Sequence, residues 1–150
     1  ELLILEYAAD KPGDIKYLLD IAKPQIGVVT AIGDIPVHVE FYSGPEAVAR
    51  EKAKVVEGLS VTNFAVLNYD DPAVLEMKEK TGARTISFGF GEGAEVRIFD
   101  FHFKLGSSGE LEGVVFKISH IGQSAVSPTF DPRLFARESS SRCMADLLGL

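Results

Sequence analysis

Apolar positions along the chain fall into short unbroken blocks, separated by stretches in which they recur every three or four residues. Leu2-Leu3-Ile4-Leu5 is an unbroken block and predicts a first strand covered on both faces. Pro12-Gly13-Asp14 ends it. Ile15, Leu18, Leu19 and Ala22 then follow at helical spacing, predicting a helix with Asp14 as its N-cap and Lys16–Asp20 as an i,i+4 pair. Pro24 closes that helix, and Ile26 to Thr30 predicts a second buried strand. After a long loop from Ile32 to Gly44, Pro45 opens a helix that runs to Leu59. Phe64-Ala65-Val66-Leu67 predicts a third strand with Asn68-Tyr69-Asp70-Asp71-Pro72 as its exit turn. A short helix over 72–80, stopped by Gly82, and a fourth strand over Thr85–Phe88 follow.

Strands alternating with helices imply βαβ units, hence an α/β, doubly wound, mostly parallel sheet. The rhythm then changes. Val96, Ile98, Phe101 and Phe103 lie in an extended stretch whose alternation slips at Asp100, residues 106–109 are a turn, and Leu111 to Ser119 runs back. That predicts an antiparallel hairpin appended to the parallel sheet. From Gln123 onward Ser139-Ser140-Ser141 and the prolines show no regular period. The predicted domains are therefore 1–122 and an unassigned tail, 123–150.

Composition narrows the function more than the fold. The formal charge of -7, with no clustering of Lys and Arg, argues against a nucleic-acid grip, which needs a basic surface. No apolar run is long enough to span a bilayer. The single cysteine, Cys143, excludes an internal disulfide and fits a reducing, cytoplasmic setting. Because the chain begins at Glu1 inside an apolar run, a preceding segment is expected.

Three residues are candidates for chemistry. On the helix after Pro45, Val48, Val55, Val56 and Leu59 form the apolar stripe, and Lys52 falls in the middle of it, whereas Arg50, Glu51 and Lys54 fall on more polar faces. A lysine so placed either snorkels outward or is held for a purpose; burial would lower its pKa and leave a neutral amine able to react with carbon dioxide. Glu6 ends the predicted first strand, at the edge where open α/β sheets place their ligands. It either binds Mg²⁺ there or marks the strand's exit. His38, in the loop after the second strand, lies near the same edge. His102 and His120 have no evident partner. Gly89-Phe90-Gly91-Glu92-Gly93 could suggest a phosphate cradle, but it ends in no Lys-Ser or Lys-Thr and reads as a connection. No G-x-x-x-x-G-K-[ST] occurs, and Ser139 to Ser141 and Cys143 lack a base in register.

Glu6 to Ile15 resembles the E-(L/Y)-G-A-x-x-x-G-(E/D)-I stretch of the Mur peptide ligases, and Pro24 to Thr30 is similar to their P-x-x-x-V-(I/V)-T strand. His38-Val39-Glu40-Phe41-Tyr42-Ser43-Gly44 resembles their H-L-E-x-F-G-S loop. Ala49-Arg50-Glu51-Lys52 fits the helix that carries their reactive lysine, and Leu67 to Asp71 is similar to their (L/M)-N-x-D-(D/N) turn. The likeness covers residues 1 to 120 in order and is strongest to the branch that joins D-alanyl-D-alanine to UDP-N-acetylmuramoyl-tripeptide. It implies the central, ATP-binding domain of such a ligase. Glu6 and His38 would be Mg²⁺ ligands, Lys52 would be carbamylated to give a metal an anionic oxygen, and Asn68 would contact the nucleotide. In the family ATP phosphorylates a substrate carboxylate, and an amine then attacks the acyl phosphate.

The departures from the family are specific. Its P-loop is expected ahead of Glu1 and its amino-acid-binding domain after Leu150. Its G-x-H-N-x-x-N segment is not supplied by Gly122-Gln123-Ser124-Ala125, and Lys54 replaces the glutamate that often follows the reactive lysine by two positions. The chain alone is expected not to turn over ATP. Two alternatives stand beside this reading: another ligase of the superfamily, of the folylpolyglutamate-synthase kind, and a non-catalytic α/β binding module.

Overall fold

The computed structural model describes residues 2–32, 39–120 and 123–126. Its chain divides into two compact units: Tyr7–Arg97, and Glu1–Glu6 together with Ile98–Leu150.

The unit of residues 7–97 is a parallel α/β sheet. Strands β1 (Ile26–Val29), β2 (Phe64–Asn68) and β3 (Arg84–Gly89) pair side by side, with Ile26 opposite Phe64 and Phe64 opposite Arg84. Helix α1 (Asp14–Ile21) precedes β1, and α2 (Pro45–Glu57) connects β1 to β2. Between β2 and β3 lies α3 (Pro72–Leu75), continued by a 3-10 helix over Glu76–Lys80. The periodicity had these elements in this order, because each apolar block supplies a covered strand and each three-to-four spacing a helix face.

The core of this unit lies between α2, α3 and the sheet, where Val29, Ala53, Val56, Leu67, Val74 and Met77 are buried together. Central β2 is covered on both faces, with Ala65, Val66 and Leu67 all buried. A Cβ on Gly27 would come within 3.1 Å of the Val55 carbonyl oxygen and 3.2 Å of Leu59 Cδ1. Glycine at this point of β1 therefore lets α2 approach the strand closely.

The last two residues of β3 pair in parallel with the first two of β4 (Val96–Leu105): Phe88 with Val96 and Gly89 with Arg97. In the second unit β4 and β5 (Leu111–His120) are hydrogen-bonded neighbours, and Gly106 N–H donates to the Glu110 carbonyl across their turn at 2.8 Å. Strand β6 (Gln123–Val126) pairs antiparallel with β5; residues 127–150, including Cys143 and the serine run, lie outside the described residues. The slip in alternation at Asp100 has a backbone cause. Asp100 adopts a left-handed conformation (φ 54), which aspartate tolerates better than most residues. Its Oδ2 lies 2.6 Å from Lys117 Nζ on β5, and this hydrogen bond and charge hold its carboxyl below the usual carboxylate range.

The strand expected over Leu2–Leu5 does not form. The segment has no ladder partner among the described strands, and its side chains are 57, 78, 43 and 50% exposed. An apolar run signals that a segment favours cover; a strand exists only where a neighbour offers donors and acceptors. Glu6 accordingly ends an unpaired segment, not a strand.

The glycine run 89–93 connects β3 to β4, as expected, and has a defined structural role. The amides of Phe90 and Gly91 donate to the two carboxylate oxygens of Asp70 at 2.6 and 2.9 Å, so the loop cradles a carboxylate of its own chain. A Cβ on Gly91 would meet the Tyr69 ring at 2.6 Å, and one on Gly93 would overlap the Tyr69 hydroxyl. Gly93→Ala is thus expected to destabilise the fold by about 1–3 kcal/mol through overpacking. Urea unfolding should show that loss, and adding Tyr69→Leu should recover most of it; an unchanged midpoint in Gly93→Ala would contradict the packing.

Candidate functional site

The carboxyl ends of β1 and β2 are held together by side chains from three elements. Asn68, the last residue of β2, donates from Nδ2 to the Thr30 carbonyl at 2.8 Å, and its Oδ1 accepts from the Asp70 amide at 2.9 Å. Asp71 caps α3: its Oδ1 accepts from the amides of Ala73 and Val74 at 3.0 and 3.2 Å. Its other oxygen accepts from the Ile32 amide at 2.7 Å. Lys52, from α2, donates to the Ala31 carbonyl at 3.1 Å. Thr30, Ala31 and Ile32 are thus pinned by Asn68, Lys52 and Asp71 in turn, where the chain leaves the sheet.

Lys52 is half-buried, and burial lowers its pKa from the ordinary lysine value, with Asp71 opposing the shift by charge. Below the depressed folded pKa both states are protonated, and between it and the unfolded value of 10.5 the unfolded chain binds more protons. Stability therefore rises with pH across that window. The difference in unfolding free energy between wild type and Lys52→Met is expected to move in favour of the wild type from pH 8 toward pH 10. A flat difference would contradict a depressed lysine.

Of the residues expected to act together, Lys52 and Asn68 are brought to one sheet edge. Glu6 is exposed and falls in the other compact unit; His38 lies outside the described residues. Among the described residues no group of three or more His, Cys, Asp and Glu side chains has metal-holding geometry. A carbamate formed on the Lys52 amine would supply an anionic oxygen of the kind Mg²⁺ prefers.

Glu51, placed by helical spacing on a polar face, is buried: 4% exposed, against a half-buried Lys52. Helix α1 packs against the face of α2 that periodicity assigned to solvent. Nor is Asp14 the cap of α1. The N-cap is Gly13 (φ 101), which has no side chain to offer, and Asp14 Oδ2 instead accepts from the Lys11 amide at 2.9 Å. The signal that could have revealed Glu51 is this Gly-Asp helix start, which needs an acceptor from elsewhere.

Residues 1–127 match the family described as the Mur ligase middle domain, and the chain belongs to that family. Among relatives, a UDP-N-acetylmuramoyl-tripeptide--D-alanyl-D-alanine ligase of Mycobacterium leprae is 40% identical over 91 residues, 61% of this chain and 17% of the relative. A ligase of the same name from Mycobacterium tuberculosis (strain ATCC 25618 / H37Rv) is 40% identical over 86 residues, 57% of this chain and 16% of the relative. A UDP-N-acetylmuramate--L-alanine ligase of Aquifex aeolicus is 30% identical over 124 residues, 82% of this chain and 25% of the relative. The chain thus spans about a sixth of the length of the two mycobacterial relatives. The fold matches the crystal structure of MurF ligase from Thermotoga maritima in complex with ADP, with a TM-score of 0.72 at 24% identity over 98% of this chain and 33% of that one. It also matches MurF from Acinetobacter baumannii, with a TM-score of 0.71 at 20% identity over 95% and 30%. At these identities the likeness is one of fold.

Proposed function

We propose that this chain is the middle domain of an ATP-dependent ligase that joins D-alanyl-D-alanine to UDP-N-acetylmuramoyl-tripeptide, a step in making peptidoglycan precursor in the cytoplasm. The observation that carries this reading is Lys52: a half-buried amine of lowered pKa, at the carboxyl edge of a parallel sheet, within a Mur ligase middle domain. The names of the mycobacterial relatives support the choice of substrates. The ADP-bound structural neighbour supports ATP as the phosphoryl donor.

The chemistry follows from these residues. The neutral Lys52 amine adds to carbon dioxide, forming a C–N bond and releasing a proton, which leaves an anionic carbamate. Glu6, His38 and that carbamate would hold Mg²⁺, which offsets charge on a transferring phosphoryl group when bound. Asn68, fixed by Thr30 and the Asp70 amide, keeps one N–H for a nucleotide. The substrate carboxylate takes the γ-phosphoryl group, and the amine of D-alanyl-D-alanine then displaces phosphate. The 150 residues alone are expected not to hydrolyse ATP, since they contain no P-loop sequence.

The test is ligation by the intact protein, read by product mass. ATP-dependent gain of D-alanyl-D-alanine on UDP-N-acetylmuramoyl-tripeptide is expected. L-Alanine addition to UDP-N-acetylmuramate in its place would move the chain to the activity named for the Aquifex relative, and glutamate addition to folate would move it to the folylpolyglutamate-synthase kind. No ligation with any of these would favour a binding module.

A further inference from the structure

Helix α1 begins without a cap of its own, yet its first amides are not left open. Glu51 of α2 reaches across, and its Oε1 accepts from the Gly13 amide at 3.0 Å and the Ile15 amide at 3.2 Å. The other carboxylate oxygen lies 2.6 Å from Lys54 Nζ, one turn further along the same helix. A carboxylate at a helix N-terminus is favoured twice: its oxygens satisfy orphan donors, and its charge opposes the helix dipole. Burying it is tolerated because the two amides and Lys54 together replace the water it gives up.

The same stretch is tied down at two further points. Tyr42 donates from its hydroxyl to the Ala9 carbonyl at 3.1 Å, and Tyr7 donates to the Ala22 carbonyl. Glu51 and Tyr42 thereby fasten residues 9–15 to α2 and its entry loop, with Glu51 as the charged fastening, while Tyr7 ties the start of the stretch to the end of α1. Glu51 also immediately precedes Lys52.

We propose that Glu51 is a positioning residue: braced by Lys54, it caps α1 from α2 and so fixes the turn after Glu6 on the helix that carries Lys52. Its bearing on ligation rests on the activity proposed above. Positions 51 and 54 lie one turn apart on the same side of α2, so a glutamate at 54 is placed to serve the same two amides once Glu51 is gone.

Two measurements separate the cap from the ligase reading. The first is amide hydrogen exchange in the 150-residue chain, at Gly13 and Ile15, with Ala65 and Val66 of β2 as internal reference. Glu51→Ala is expected to speed exchange at Gly13 and Ile15 by about 10-fold or more relative to β2. Glu51→Gln, which keeps an acceptor but loses the ion pair, should speed it less and provides a folded variant if alanine fails to fold. Glu51→Ala/Lys54→Glu should return exchange toward wild type. Wild-type exchange in both Glu51→Ala and Glu51→Gln would overturn the proposal, as would failure of the double variant to recover either protection or folding.

The second is the Mg²⁺ concentration giving half-maximal ligation by the intact protein. Glu51→Gln should raise it about 10-fold, the scale for residues supporting metal ligands, with the KM for D-alanyl-D-alanine unchanged. Faster exchange with an unshifted Mg²⁺ requirement would reduce Glu51 to a local cap and overturn the positioning role. If the wild-type protein does not ligate, the activity reading falls and exchange alone decides the cap.

Discussion

Lys52→Ala in the intact protein is expected to lower ligation roughly 100-fold or more, comparable to removing one fixed group that stabilises charge in a transition state. Two properties of the side chain underlie this expectation. Its pKa is depressed by burial, so more of the amine is neutral near physiological pH. Its Nζ donates to the Ala31 carbonyl, just past the end of β1. Lys52→Arg should fare no better than alanine, because guanidinium stays protonated and cannot form a carbamate under these conditions. Ligation rates at saturating ATP decide the matter. A Lys52→Ala protein within a few-fold of wild type would remove Lys52 from the chemistry.

Asp71→Ala is expected to be the most destabilising polar substitution considered for this unit, at about 3 kcal/mol. Loss of the α3 cap costs about 1 kcal/mol, and loss of a charge-assisted bond to the Ile32 amide costs about 1.5–3 kcal/mol. For a protein of this length that corresponds to a fall in Tm of about 10 °C. Asp71→Asn keeps one acceptor oxygen, which can serve the α3 cap or the Ile32 amide but not both, and should lose about half as much. The substitution has a second consequence. Asp71 is the charge that opposes the burial shift of Lys52, so its removal should drive the lysine pKa down further. Thermal unfolding and a pH titration of labelled Lys52 separate the two effects. A Tm within 2 °C of wild type in Asp71→Ala would contradict the pinning of β1 to α3.

The sequence made the parallel part of the fold legible where pattern and environment agree. Ile26–Val29 and Phe64–Asn68 are short apolar blocks, and Arg84–Gly89 carries Ile86 and Phe88 at alternate positions; all three find partners on the sheet. Asp71-Pro72 announced a helix start and is one. Leu2–Leu5 has the same composition and no partner, so composition alone misled. The hairpin was legible from its turn, while the slip at Asp100 was visible but its left-handed backbone and its pairing with Lys117 were not, since both are set by the folded chain.

The site was legible in part. The stripe on α2 drew attention to Lys52, and the lysine does sit half-buried. The same stripe concealed Glu51, because periodicity assumes one buried face, whereas α2 is covered by the sheet and by α1. The role of Asp70 in filling the glycine loop was hidden for a similar reason: the two segments are 20 residues apart for Phe90 and meet only in the fold.

The most direct test of the proposed chemistry follows the oxygen atoms. UDP-N-acetylmuramoyl-tripeptide labelled with ¹⁸O in its terminal carboxylate is ligated to D-alanyl-D-alanine by the intact protein with ATP, and the inorganic phosphate is examined by mass. An acyl phosphate requires one carboxylate oxygen to leave with phosphorus, so one ¹⁸O per phosphate is the expected result. Unlabelled phosphate alongside ligated product would contradict the acyl-phosphate ligase reading.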